Sequence, residues 1–134
     1  PDEVYEDPTQ TIPKKADDER NNNNNTFKNK RAQHYWILRD RVYRTYQAVE
    51  HGKYFDPDTL ISFSKDIKDL QKLRSEVCRI PRKPNGAGLI QIMTKDEMRR
   101  LLKIESPNLA DAVMMSLITP ELSGSSKVGY RPKR

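Results

Sequence analysis

Cysteine is almost missing from this chain. Cys78 is the only one, so no intrachain disulfide can form, which fits a reducing compartment such as cytoplasm. Between Val77 and Arg79 it reads as a small packed residue in a strand rather than a nucleophile. Histidine is nearly as scarce. His34 and His51 stand too far apart for a metal pair one helical turn apart, and no Cys/His ligand cluster exists. His34 reads as structural, and His51, near a helix end, as a favourable C-terminal charge. No apolar run approaches the ~20 residues needed to cross a bilayer. The start, Pro1-Asp2-Glu3, lacks the basic and apolar regions of a signal peptide, and it lacks an initiator Met, as expected of a fragment.

Apolar residues make up 34% of the 134 positions and charged residues 33%; mean hydropathy is −0.94. That suits one small core with part of the chain poorly ordered. Charge is unevenly placed. Residues 1–25 hold seven acids against three bases, while the whole chain is +6, so residues 26–134 carry +10. An excess of Lys and Arg favours a polyanionic partner, although it also serves solubility. Residues 1–25, with three prolines and the run Asn21 to Asn25, read as an acidic linker or loop, and 119–134 as a flexible basic tail. Residues 26–118 are left as the folded part.

Within that part the periodicity predicts a helix over 29–50. Tyr35, Trp36, Val42, Tyr43, Tyr46 and Val49 form its apolar side, and Gly52 ends it. Arginines interleave with that aromatic stripe, but a core face with a solvated border is favoured over a base-stacking surface. Asp56 and Pro57 start a second helical region over 56–75, with Leu60, Ile61, Phe63, Ile67, Leu70 and Leu73 as apolar positions. The period then changes. Val77, Cys78, Ile80 and later Leu89, Ile90, Ile92 read as strands joined at Pro84-Asn85-Gly86-Ala87-Gly88, a β-hairpin in which Asn85-Gly86 supplies positive φ and Pro81 marks an edge. Thr94 and Glu97 are spaced as a capping box for a helix to about Lys103, made basic by Lys95, Arg99, Arg100 and Lys103. Ser106 and Pro107 open a last helix, Asn108 to about Ile118.

Asp111 is the residue with chemical promise. It sits in the apolar stretch Leu109-Ala110-Asp111-Ala112-Val113-Met114-Met115. A buried carboxylate needs a cation or metal beside it; a surface carboxylate near a helix start needs neither. The residues alone leave both readings open, and one Asp by itself cannot hold a catalytic divalent ion.

Four segments carry a resemblance. Asn29-Lys30-Arg31-Ala32-Gln33 with Leu38-Arg39-Asp40, the Arg79-Ile80-Pro81 and Leu89-Ile90-Gln91-Ile92 runs, Thr94-Lys95-Asp96-Glu97-Met98-Arg99-Arg100, and Ser106-Pro107-Asn108-Leu109-Ala110-Asp111-Ala112 follow in the order seen in large terminase subunits of tailed bacteriophages. The resemblance covers residues 27–118. It implies an α/β fold, the C-terminal portion of an RNase H-like nuclease domain, here helices plus a β-hairpin, within a domain of a central mixed sheet flanked by helices. It also implies a metal-dependent endonuclease that cuts concatemeric viral DNA during packaging. Asp111 would then be the third acidic ligand of a two-metal Mg2+ or Mn2+ site. The first two ligands are expected on strands before the 29–50 helix, and Asp17, Asp18 and Glu19 do not read as such strands; this piece alone is expected to be inactive. The motor's phosphate-binding loop is likewise missing. Implied partners are double-stranded DNA, the portal protein and the small terminase subunit, with no membrane, in the host cytoplasm and transiently at the procapsid portal. Arg79, Arg82, Lys83, Arg99, Arg100 and Lys103 are the expected phosphate contacts, followed by Lys30 and Arg31, though each alone reads first as an ordinary surface charge. Two rival readings stand beside this one. The first is a non-catalytic DNA-binding or partner-docking module; the second is another RNase H-like enzyme such as a resolvase.

Overall fold

A computed structural model describes residues 5–10, 12 and 23–118. The expectations for the rest of residues 1–25 and for the 119–134 tail lie outside the described residues. The elements run α1 (Asn23–Thr26), α2 (Lys30–His51), a 3-10 turn (Pro57–Thr59), α3 (Leu70–Cys78), β1 (Arg82–Lys83), β2 (Gln91–Ile92), α4 (Lys95–Leu102) and α5 (Asn108–Ser116).

Helix α2 organises the rest. Asn29 caps it by accepting from the Ala32 amide, and Gly52 ends it in the left-handed region at φ 62°, where a Cβ would be strained. Its buried side chains are Ala32, Tyr35, Leu38, Asp40 and Gln47. The aromatic stripe is therefore core only toward the N-terminus. Val42, Tyr46 and Val49 are exposed in this chain, because β2 and α5 pack on the first half of α2. Ala32, Tyr35 and Leu38 meet Ile92, Ala110 and Met114 there, with Ile61, Val77, Ile80, Val113 and Leu117 at the edge.

The expected second helix over 56–75 does not form as one unit. Asp56 caps a single 3-10 turn, accepting from the Asp58 amide. Leu60 and Ile61 then lie along α2, where Arg41 Nη1 donates to the Leu60 carbonyl at 3.0 Å and the Ile61 amide donates to Thr45 Oγ1 at 2.9 Å. Backbone groups held by α2 side chains are withdrawn from helical bonding. Helix begins only at Leu70, and it continues through Val77 and Cys78, the residues expected in a strand. Leu70, Leu73 and Val77 fall at helical spacing, and α3 packs against α5. Cys78 is thus an exposed helix-end residue rather than a packed one.

The hairpin exists in shorter form: β1 and β2 pair antiparallel, Arg82 opposite Ile92 and Lys83 opposite Gln91. The positive φ lies at Gly88 (69°) rather than in Asn85-Gly86. Asn85 organises the loop through its side chain, accepting from the Ala87 and Leu89 amides and donating to the Leu89 carbonyl. Residues 26–28 add a further rung. Lys28 N donates to the Ile90 carbonyl and Ile90 N to the Thr26 carbonyl, with Phe27 bridging Ile90 in parallel sense. The end of the Asn run is therefore anchored, with Thr26 and Phe27 buried. Tyr5 packs edge-on to Phe27 and donates to buried Asp40 at 2.6 Å.

Candidate functional site

Asp111 sits in the first turn of α5 and is buried. The start of that helix has an unexpected anchor. Ser106 does not cap it; its hydroxyl donates to the Asn108 side chain. Instead Glu76, from α3, accepts from the Leu109 and Ala110 amides at 2.7 and 3.0 Å. A carboxylate there satisfies orphan helix amides and complements the helix dipole. It also fixes where Asp111 stands.

Three groups converge on the Asp111 carboxylate. The Tyr35 hydroxyl, from α2, donates to Oδ1. Lys95 Nζ, from the first residue of α4, lies 2.5 Å from Oδ2. Arg31 Nη2 lies 3.6 Å from Oδ1 while Nη1 donates to the Met93 carbonyl at 2.9 Å. Burial opposes ionisation of Asp111. Hydrogen bonds from Lys95 and Tyr35, with the charges of Lys95 and Arg31, outweigh it and hold the carboxyl below its ordinary range. Burial and the bond to Asp111 push the Tyr35 phenol up, so it stays a proton donor.

The open question about Asp111 is therefore decided for its surroundings. It is a buried, paired carboxylate and not a solvated one. Neither Tyr35 nor Lys95 was legible as its partner. Tyr35 lies 76 residues away in the chain and reads as core, while Lys95 reads as one of four cations on a basic helix.

The other candidates are scattered. Lys83 pairs with Glu97, which also closes the capping box with Thr94. Arg82 lies over one side of the arrangement around Trp36, its guanidinium 5.7 Å from the ring, and Arg39 lies 4.7 Å from it. Arg31 serves Asp111. Lys30, Arg79, Arg99, Arg100 and Lys103 are exposed. Arg79 and Lys103 border a groove of about 500 Å³ between α3 and the α4–α5 link, and Arg82 and Lys83 border another by the hairpin. His34 is half-buried, and burial with the Lys30 charge lowers its pKa. His51 packs edge-on to Tyr46 at the end of α2. Among the described residues no group of three or more His, Cys, Asp or Glu is placed to hold a metal ion, and no described helix is long and apolar enough to cross a membrane. Asp111 alone fits a role as one oxygen ligand; it does not make a complete metal site.

No protein-family model matches the chain, and no curated protein does. Solved structures do. The nuclease domain of the large terminase subunit gp2 of bacterial virus Sf6 aligns with a TM-score of 0.72 at 50% identity, covering 74% of this chain and 44% of that one. A mutant of that domain with manganese aligns at 0.72 and 49%, covering 74% and 46%. A mutant with calcium aligns at 0.72 and 49%, covering 74% and 45%. The chain thus spans less than half the length of these solved domains. With the sequence identity and the helix-and-hairpin arrangement in agreement, the chain belongs to the phage large terminase subunits, as part of their nuclease domain.

Proposed function

We propose that this chain supplies one wall of the nuclease site of a DNA-packaging terminase, a metal-dependent endonuclease that cuts concatemeric viral DNA as the genome is packaged. The observation that carries the reading is the buried Asp111 carboxylate, held ionised by Tyr35, Lys95 and Arg31. An ionised carboxylate at fixed orientation is what a divalent ion needs from one of its ligands. Asp111 would be one ligand for Mg2+ or Mn2+, and the remaining ligands lie outside the described residues. When bound, such ions activate a water and stabilise the leaving oxygen.

The chain's own residues prepare that ligand. Glu76 fixes the start of α5, Tyr35 orients Oδ1, and Lys95 balances the charge at Oδ2. The substrate is duplex DNA, met by the exposed cations Arg79, Arg99, Arg100, Lys103 and Lys30; Arg82, Lys83 and Arg31 are engaged within the chain. The portal protein and small terminase subunit are the partners the packaging role calls for, in the host cytoplasm and at the procapsid portal.

The test is Asp111→Asn in the intact terminase subunit, scored by plasmid cleavage with Mn2+. Cleavage should fall to background while ATP hydrolysis and duplex binding stay near those of the parent. The 134-residue chain alone should leave plasmid intact. Near-normal cleavage by the Asn variant would reduce Asp111 to an ion-pair anchor between α2, α4 and α5.

A further inference from the structure

The cations on this chain differ in what they are already doing. Lys83 faces Glu97, Lys95 and Arg31 face Asp111, Arg39 faces Asp7 and Asp40, and Arg82 lies over Trp36. Lys72, Arg79 and Lys103 are different. All three are exposed, and among the described residues none forms an ion pair. They come from two separate elements, α3 with its C-terminal cap and the cap of α4, yet they border the same groove of about 500 Å³. Arg99, Arg100 and Lys30 are also exposed, but no described cavity gathers them.

Two acids border the groove as well, Glu76 and Glu105. Glu76 is committed to the α5 amides at 2.7 and 3.0 Å, so its charge is already balanced by the positive end of that helix. With Glu105 counted against the three cations, an excess of positive charge remains. Glu76 also blocks the α5 N-terminus to other anions, which leaves the side-chain cations as the phosphate-binding groups.

The groove has a fixed relation to Asp111. The eight residues of α4 join the two places: Lys95 at its start pairs with Asp111, and Lys103 at its end borders the groove. An α-helix of that length spans about 12 Å, on the order of three to four nucleotides along one strand at ~3.4 Å each.

We propose that Lys72, Arg79 and Lys103 form a backbone-phosphate clamp for duplex DNA, placed a few nucleotides from the bond presented to Asp111. The proposal rests on the nuclease reading above and names where the substrate strand is held. The clamp reads charge and not sequence, since its groups are point charges and a guanidinium without base-edge partners.

The experiment measures binding of the 134-residue chain to a fluorescein-labelled duplex by anisotropy across a potassium chloride series. The clamp variant combines Lys72→Ala, Arg79→Ala and Lys103→Asn. Asn is chosen because Lys103 has φ 55°, a conformation Asn tolerates better than Ala. The comparison variant is Arg82→Ala with Lys83→Ala. Each lost phosphate contact should lower the slope of log affinity against log salt by about 0.9, and weaken binding roughly eightfold at 0.1 M salt. The clamp variant should therefore lose a slope of about 2.7, and the hairpin variant less than one contact's worth. Circular dichroism of the clamp variant should match the parent, all three of its side chains being exposed. An unchanged slope in the clamp variant, or absence of duplex binding by the parent chain, overturns the clamp. Loss confined to the hairpin variant also overturns it, by moving the strand to β1–β2. The nuclease reading fails separately, through retained cleavage in Asp111→Asn.

Discussion

Removing one oxygen from Tyr35 should expose how much Asp111 depends on it. In Tyr35→Phe the ring stays in the core, where Tyr35 is 6% exposed, and the guanidinium of Arg31 keeps an aromatic face at 5.1 Å. Only the hydroxyl that donates to Asp111 Oδ1 is lost. That oxygen then has Arg31 Nη2 at 3.6 Å, too long for a good hydrogen bond. A hydrogen bond to a charged group contributes about 1.5–3 kcal/mol. About 2 kcal/mol is expected here, on the order of a 10 °C fall in Tm for a domain of this size.

The pH dependence gives a second handle on the same bond. The folded-state pKa of Asp111 is depressed, so its contribution is fully present above the unfolded value of ~3.9 and is lost as pH falls through the folded value. Tyr35→Phe removes one of the groups that depress it. The variant should therefore have less to lose on acidification, and its deficit against the parent should shrink between pH 7 and pH 3. Urea titrations of both proteins at the two pH values, followed by circular dichroism, measure this directly. A deficit below about 0.5 kcal/mol at pH 7, or one that does not shrink in acid, would refute the argument.

Two further outcomes follow from the packing. Leu38→Ala, at a side chain 1% exposed in the middle of the α2 face, should lower the urea midpoint by an amount equivalent to about 2–5 kcal/mol with the slope unchanged. Hydrogen bonds from Lys83 and the Thr94 backbone depress the Glu97 pKa to about 2. Its stabilising effect on the α4 start should be present above the unfolded carboxyl value and lost as pH falls through about 2, and Glu97→Gln should speed exchange of the Thr94 amide, which donates to that carboxylate, at neutral pH but not near pH 2.

Local signals in the sequence determined some of the ends of the elements. Gly52, Asp56 and the Thr94–Glu97 box act within one turn of their own position, so their spacing alone locates them. The hairpin was legible for the same reason, and the resemblance of four ordered segments pointed to Asp111. The tertiary structure decided everything that needed a partner from elsewhere. Residues 60–69 have apolar residues enough for a helix, yet Arg41 and Thr45 claim the Leu60 and Ile61 backbone. Val77 and Cys78 look β-prone but belong to a helix, in which Val77 packs on the core and Cys78 ends exposed. Glu76 caps a helix 33 residues later, and Tyr35 and Lys95 meet at a carboxylate that neither adjoins in sequence. Side-chain spacing reports what lies one turn away; a buried charge is satisfied by whatever the fold brings within about 3 Å, and only packing fixes that.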